Sequence, residues 1–371
     1  MDVTPLQSEH RLRGVGTYVY YLARELMASH GESLGFLAST VGRSAIDQLL
    51  RPTFWGFRPH KPAQVYWLYN ELFLRSALAH TKPSLFHATD FNGVPTNPRI
   101  PVVTTLFDLT PLTLGGDTQG LSNRLSGWRW KTYYFRKLPH VNHIIAISEH
   151  AKSEACKILS IDPEQITVIP LGVDHQRYTA EAKGQGAYAS YPPYFLYVGG
   201  SDANKNLRRL IDSFQFIADQ WKDVQLVLAG KWSPGATQEF ETVIQEKRLA
   251  SRIRLLGFVP TADLPSLYAN AIAFVFPSLS EGFGLPVVEA MAAGLPVIAS
   301  DIEIFREVAG DAAILVNPTD TEAWAHALQS VLSSAQVANH YRLVGLQRAK
   351  LFHWHRVAQK TWTVYNRVLG Q

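Results

Sequence analysis

The second half of the chain repeats one pattern, in which a short, continuously apolar run rich in β-branched residues is followed by an amphipathic segment of helical length. This alternation predicts βα units joined in a parallel sheet. Because the apolar runs are continuous rather than alternating, helices are expected to cover both faces of that sheet. The predicted strands are 194–200, 224–230, 253–259, 272–278, 296–300 and 312–318.

The first half shows the same pattern less regularly. Strands are predicted at 33–40, 84–89, 101–107, 143–148 and 166–173, and helices at 16–28 and 149–159. Residues 3–6, VTPL, resemble the tail of one more strand. The predicted fold class is therefore α/β, with two doubly wound, Rossmann-like domains.

Two domains are expected from the length, since 371 residues compare with roughly 100–200 per domain. Residues 179–193 collect Gly, Ala, Ser and Pro without periodicity, which indicates a linker. We place the first domain at 1–182 and the second at 183–354. Ligands of open α/β sheets bind at the carboxyl ends of the strands, so the two domains are expected to face a shared central cleft.

Composition excludes several classes of protein. Apolar residues make up 46% and charged residues 18%, which argues against a disordered or fibrous chain. A net charge of +4 without a concentrated basic face gives no support for nucleic acid binding. The single cysteine, Cys156, cannot form an internal disulfide. With neither an apolar leader nor a stretch long enough to span a bilayer, we expect a cytoplasmic protein, in solution or at the inner face of the membrane.

The segment 277–301 contains the densest group of candidate site residues in the sequence. A predicted strand runs into the turn SEGFG, and Pro286 opens a helix that stops at Gly294. Gly282 and Gly284 permit a tight turn that a ligand can approach closely. The free amides at the helix start, at residues 283–285, form an anion site suited to a diphosphate.

Two carboxylates, Glu281 and Glu289, flank this turn and offer acceptors for sugar hydroxyls. The alternative is that Glu281 caps the helix and Glu289 is a solvated surface charge. Glu289 falls among Val287, Val288 and Met291, where an unpartnered carboxylate would be costly, so the sequence favours a partner for it.

The sequence of this segment resembles that of the retaining, two-domain glycosyltransferases of family 4, which have the GT-B fold. The residues that carry the resemblance are EGFGLP followed by EAMAAGLPV. The family's signature of two glutamates separated by seven residues corresponds to Glu281 and Glu289. The resemblance implies that Glu281 contacts the transferred sugar and Glu289 the nucleotide ribose. It also implies that the amides of Phe283, Gly284 and Leu285 bind the diphosphate.

Other segments resemble the family in the same order, over nearly the whole chain. The resemblance implies that Lys205 neutralises the departing diphosphate and that Gly14 and Gly16 approach the donor phosphates. Lys231 is a second candidate cation because it follows a predicted strand, although it belongs to no family signature. The resemblance places Phe258 and Val259 near the nucleotide base, although an aromatic residue at this position suits a core role equally well. It further implies that a C-terminal helix, about 355–371, crosses back to the first domain.

Two positions depart from the family pattern. Gly200 stands where many relatives carry Arg, so phosphate neutralisation must rely more on backbone amides. Phe107 stands where many relatives carry His, and Asp108 after it remains a candidate acceptor of hydrogen bonds from the sugar or the acceptor. We assign the catalytic roles to Glu281, Lys205 and Asp108, and we expect no metal or cofactor.

The function expected from the resemblance is retaining transfer of a hexose, mannose from GDP-mannose, to a glycan or lipid-linked saccharide in bacterial surface polysaccharide synthesis. The alternatives are a UDP-sugar or dTDP-rhamnose donor or, in other classes, a nucleotide-sugar epimerase or a non-catalytic sugar-nucleotide binding protein. The basic, aromatic residues 123–138 suit a membrane interface. They suit equally a helix that packs its aromatic side chains on its own domain.

Overall fold

The computed structural model describes residues 1–7, 14–39, 54–56, 66–90, 93–96, 98–109 and 137–371, of which 39, 54–56 and 66–71 are described as backbone. Its contacts divide the chain into two compact units. The first unit comprises Met1–Gly172 and Trp354–Gln371, and the second comprises Val173–His353. Most of the basic aromatic segment, residues 123–136, lies outside the described residues, so its interpretation is unchanged.

The first unit is built on parallel strands. In its described part the strands are β1 (Leu37–Ser39), β2 (Phe54–Gly56), β3 (Phe86–Ala88), β4 (Val102–Leu106), β5 (His143–Ala146) and β6 (Ile166–Val168). A parallel sheet has the order β3-β4-β5-β6, and β1 pairs in parallel with β2. Its described α-helices are α1 (Gly14–His30), α2 (Tyr66–Thr81), α3 (Glu149–Leu159) and α11 (Trp354–Leu369).

The strand predicted at residues 3–6 is wrong. Thr4–Gln7 form a 3-10 helix, and the strand-like pairing is a single bridge between Asp2 and Leu37. The Asp2 carboxylate turns the chain by accepting hydrogen bonds from both the amide and the hydroxyl of Thr4, at 2.9 and 2.7 Å. This local side-chain bonding competes with extension of the strand.

The second unit is a six-stranded parallel sheet, and the structure describes every one of its residues. Its strands are β7 (Tyr194–Val198), β8 (Gln225–Ala229), β9 (Ile253–Gly257), β10 (Ala273–Phe276), β11 (Val297–Ser300) and β12 (Ile314–Val316). Their order is β12-β11-β10-β7-β8-β9. All six predicted strands of this half are therefore confirmed, with shorter bounds.

Helices cover this sheet. They are α4 (Leu207–Ala218), α5 (Pro234–Glu246), α6 (Leu264–Ala269), α7 (Leu285–Ala292), α8 (Glu303–Val308), α9 (Thr321–Ser333) and α10 (Ala335–Ala349). The side chains of β7, β8, β10 and β11 are almost entirely buried, as expected of strands covered on both faces. Fully buried Phe195, Phe214, Phe274 and Trp324 fill the core of the unit.

The contacts place the division between the units at Gly172, earlier than the predicted boundary at residue 182. The reason is that the presumed linker, 179–193, is folded onto the second unit. The amide of Gly184 donates to the side chain of Asn270 at 2.7 Å, and the hydroxyl of Ser266 donates to the carbonyl of Gln185 at 2.6 Å. Gly184 and Gly186, with φ of 78° and 75°, therefore serve turns that pack against α6 rather than a flexible connection. The C-terminal helix groups with the first unit.

Candidate active site

The strand order of the second unit creates a switch point between β7 and β10. These strands are neighbours in the sheet although β8 and β9 separate them in the sequence. At such a point the two loops after the neighbouring strands diverge and leave a crevice at their carboxyl ends. The loop after β7 carries Lys205, and the loop after β10 carries Glu281. The topology therefore brings two predicted site residues to one edge of the sheet.

The two side chains meet in an ion pair. Lys205 Nζ lies 2.6 Å from Glu281 Oε1, and only 17% of the lysine and 14% of the glutamate side chain is exposed. The same carboxylate oxygen accepts a hydrogen bond from Ser278 Oγ at 2.8 Å. Glu281 therefore does not cap the following helix, and that alternative interpretation is wrong. When a bond breaks into a departing anion and a positively charged carbon, a neighbouring cation can stabilise the anion and a neighbouring carboxylate can stabilise the carbon.

Helix α7 begins at Leu285, four residues after this carboxylate. Gly284 precedes its first residue with a left-handed backbone, φ 86°, which glycine adopts without strain. A Cβ at this position would meet Phe305 Cε1 at 2.6 Å. The backbone amides of Phe283, Gly284 and Leu285 donate no hydrogen bond to any of the described residues. These free N–H groups at a helix start form a site for an anion beside Lys205.

Glu289 lies one turn inside α7 and is partly buried. Tyr268 donates its hydroxyl to Glu289 Oε2 at 3.0 Å. Burial raises the pKa of Glu289, and hydrogen bonds from Tyr268 and Tyr178, together with the charge of Arg177, offset part of that rise. The alternative of a solvated surface charge is therefore wrong. A carboxylate with two tyrosine partners still has lone pairs for further donors, such as ribose hydroxyls.

The loops after β8 and β9 open at the same edge of the sheet. Lys231 follows β8 and is exposed, whereas Phe258 follows β9 with 49% of its surface exposed. Val259 is buried and contributes to the core. The exposed ring of Phe258 is available to stack on a base, and the geometry gives Val259 no such surface.

The glycine turn after β7 is held by neighbours that the sequence did not reveal. Trp232 Nε1 donates to the carbonyl of Gly199 at 2.9 Å, and Tyr197 donates its hydroxyl to the carbonyl of Gly200 at 2.7 Å. Gly230 packs against the same turn so closely that a Cβ there would lie 1.8 Å from the Gly199 oxygen. These contacts fix the backbone of the turn at Gly199 and Gly200.

The remaining predicted site residues belong to the first unit. Gly14 and Gly16 lie in the first turn of α1, which begins two residues before the predicted helix, rather than in a loop. Gly16 is buried and Gly14 is exposed. Asp108 follows β4 and is partly buried. Each therefore lies at an end of a secondary-structure element of its own unit.

The described part of the chain contains no helix that could cross a membrane. None of the helices there combines the length with the apolar character that a bilayer span requires.

Comparison with known families gives two matches. The model for glycosyl transferases group 1 matches residues 180–343, and the model for glycosyltransferase family 4 matches residues 12–177. The two therefore meet close to the division between the structural units.

Among curated proteins, O-antigen chain mannosyltransferase B of Escherichia coli is 32% identical over 233 residues, 60% of this chain and 60% of that protein. A phosphatidyl-myo-inositol mannosyltransferase of Mycobacterium tuberculosis is 32% identical over 234 residues, 61% of this chain and 60% of that protein. The chain thus matches about three fifths of the length of each relative.

Solved structures match over nearly the whole chain. Sucrose-phosphate synthase from Thermosynechococcus elongatus has a TM-score of 0.78 at 21% identity, covering 96% of this chain and 94% of that one. HepE of Anabaena, solved with UDP and glucose, has a TM-score of 0.76 at 19% identity and covers 97% of both chains. At these identities the likeness establishes the fold, which is GT-B. The two family matches extend between them from residue 12 to residue 343, and together with this fold they identify the chain as a GT-B group 1 glycosyltransferase.

Proposed function

We propose that this protein transfers mannose from GDP-mannose, with retention of anomeric configuration, to a glycan or lipid-linked saccharide during synthesis of a bacterial surface polysaccharide. The Lys205–Glu281 pair beside the free amides of α7 carries the proposal. The names of the relatives support mannose, because several are mannosyltransferases of O-antigen or of phosphatidyl-myo-inositol. The proposed site of action is the cytoplasmic face of the membrane.

The proposed mechanism divides the charges of the reaction between two groups. The bond from the anomeric carbon to the diphosphate breaks, and a bond from that carbon to the acceptor oxygen forms on the same face. Lys205 and the amides at residues 283–285 stabilise the departing diphosphate, which takes the proton of the acceptor hydroxyl. Glu281 faces the sugar, where its charge favours the developing cation. The positive charge at the leaving group thus comes from the protein itself.

The other predicted residues have binding roles in this proposal. Glu289 binds the ribose, Phe258 stacks on the base, and Gly200 leaves room for the diphosphate at the turn after β7. Asp108 accepts a hydrogen bond from the sugar or the acceptor. Residues 123–138 remain a candidate membrane contact, and sedimentation with anionic liposomes tests it.

The first experiment identifies the donor. Thermal unfolding is measured with equal concentrations of GDP, UDP and dTDP, since the tightest ligand raises the midpoint most. GDP is expected to give the largest shift. A larger shift with UDP or dTDP would replace the proposed donor by a UDP-sugar or by dTDP-rhamnose.

The second experiment tests the reaction. Nucleotide release is followed with the matching nucleotide sugar, with and without a polyprenyl-linked saccharide acceptor, and the anomeric configuration of the product is read by NMR. Acceptor-dependent release with retention is expected. Isomerised sugar without acceptor would indicate an epimerase, and binding without release would indicate a sensor. The Glu281→Gln variant serves as the inactive control.

A further inference from the structure

Asn206 lies where the loop after β7 joins helix α4, next to Lys205. We propose that Asn206 is a positioning residue, which holds the Lys205 ammonium against the Glu281 carboxylate by tying together three loops at the carboxyl edge of the sheet. Its effect on turnover rests on the proposed function, whereas its effect on the ion pair does not.

The backbone of Asn206 is the first observation. It has φ 55° and ψ 33°, a left-handed conformation that Asn tolerates better than most other side chains. Asn at the start of a helix usually accepts a hydrogen bond from an amide of the first turn. Here no such capping bond forms, although Asn206 directly precedes α4. The side chain is therefore directed away from its own helix.

The side chain instead bridges two other loops. Asn206 Nδ2 donates to the carbonyl of Pro277 at 3.1 Å and to the carbonyl of Pro318 at 2.8 Å. Pro277 begins the loop that carries Glu281, and Pro318 lies in the loop after β12. An amide nitrogen has two hydrogens, so these two bonds use its whole donor capacity.

A second connection joins the same two loops nearer to the ion pair. The Leu279 amide donates to the Asn204 carbonyl at 2.7 Å, and Asn204 Nδ2 donates to the Ser280 carbonyl at 3.2 Å. Together with Asn206, these bonds hold the backbone on both sides of Lys205 against the backbone before Glu281. The hydrogen bonds between the β-strands cannot hold these two loops together, because both loops lie beyond the ends of their strands.

The expected consequence follows from the geometry of catalysis. A misplacement of about 1 Å in a reacting group can lower turnover by roughly a hundredfold. Loss of the side-chain amide of Asn206 leaves Lys205 and Glu281 in place in the sequence. It removes a constraint on the distance between these two side chains. The expected effect is therefore on turnover more than on the KM for the donor, because donor binding also draws on the amides of α7.

Glycine at position 206 provides the sharpest test. Asn206→Gly keeps the left-handed backbone without strain and removes both donors, whereas Asn206→Asp keeps the shape and presents carboxylate oxygens to two carbonyls. Arg248→Gly is the matched control, because Arg248 also has a positive φ, 58°, in the same unit and is exposed. All variants are assayed in the full chain, at a temperature where each is folded.

We expect Asn206→Gly to lower kcat by roughly tenfold or more with a smaller change in donor KM, and Asn206→Asp to lower it further. Arg248→Gly should keep the wild-type kcat. Wild-type kcat in a folded Asn206→Gly variant would overturn the proposal.

A second readout is independent of the reaction. The denaturation midpoints of Lys205→Met, Glu281→Gln and the double variant are compared in the wild-type and Asn206→Gly backgrounds. The positioning role is supported if the effects of Lys205→Met and Glu281→Gln on stability are non-additive in the wild-type background and additive in the Asn206→Gly background. Equal non-additivity in both backgrounds overturns it. If the glycine variant does not fold, the same comparison in the Asn206→Asp background decides. Absence of transfer by the wild-type chain with every donor would refute the proposed function and leave this readout valid.

Discussion

The ion pair between Lys205 and Glu281 predicts a separation of stability from activity. Lys205→Met removes the ammonium and keeps the apolar stem, whereas Glu281→Gln removes the charge and keeps the shape. Both side chains are mostly buried, at 17% and 14% exposure, so each single variant leaves a charge without its full compensation. Because some solvent still reaches both groups, we expect each to cost about 2 kcal/mol, below the range for a fully buried pair.

The double variant removes both charges together. It should lie within about 1 kcal/mol of the wild type, because two neutral side chains of similar size replace the pair. The coupling energy of the cycle is then at least roughly 3 kcal/mol. Turnover should fall by at least about a hundredfold in all three variants, since each lacks a charge that acts on the donor. The double variant is thus expected to recover stability without recovering activity.

Arg208 and Glu239 provide the control pair. Their side chains also approach to 2.6 Å and lie in the same unit, but 60% and 54% of them are exposed. The corresponding Arg208→Met and Glu239→Gln cycle should give a coupling below about 1 kcal/mol.

Urea unfolding at neutral pH, followed by circular dichroism, measures both cycles. The two units need not unfold in one step, so the transitions are fitted separately, and both pairs report on the second unit. A coupling for Lys205 and Glu281 no larger than that of the exposed pair would refute the reasoning. So would a double variant that transfers sugar at the wild-type rate.

Two further predictions concern backbone strain and a buried histidine. Gly284→Ala should destabilise the second unit by about 2–4 kcal/mol, from the positive φ and a contact with Phe305. Gly257→Ala has a similar φ, 66°, with nothing within 4 Å, so urea unfolding of this control should show only the backbone part; equal losses would contradict the steric argument. Burial lowers the pKa of His87 to about 3, so the unfolded chain binds a proton that the folded chain does not. Stability should therefore fall as pH decreases from about 6.5 towards 3, by about 1.4 kcal/mol per unit. His87→Asn should reduce that slope in urea titrations, whereas exposed His340→Gln should not; an unchanged slope in His87→Asn would contradict the assignment.

The amino-acid sequence by itself determined the strands of the second unit and the turn that opens α7. Both are local features: continuous apolar runs of strand length, and a Gly-Phe-Gly turn followed by a proline. Helix α3 was predicted at its observed bounds, and the structure shows what fixes its start, because the Ser148 hydroxyl accepts a hydrogen bond from the amide of Ala151. The family signature at Glu281 and Glu289 was likewise visible in one short segment.

Tertiary structure alone decided which residues became partners. Lys205 pairs with Glu281 across 76 positions, and Asn206 reaches Pro318 across 112. Hydrophobic periodicity gives the direction and burial of each strand but not its neighbour, because crossover helices of similar length can place the next strand on either side. The placement of β10 beside β7 joined the two site loops, and it gave Glu289 a tyrosine partner from α6. Residues 179–193 likewise had the composition of a linker, and only the side-chain oxygen of Asn270 and the hydroxyl of Ser266 made them part of the second unit.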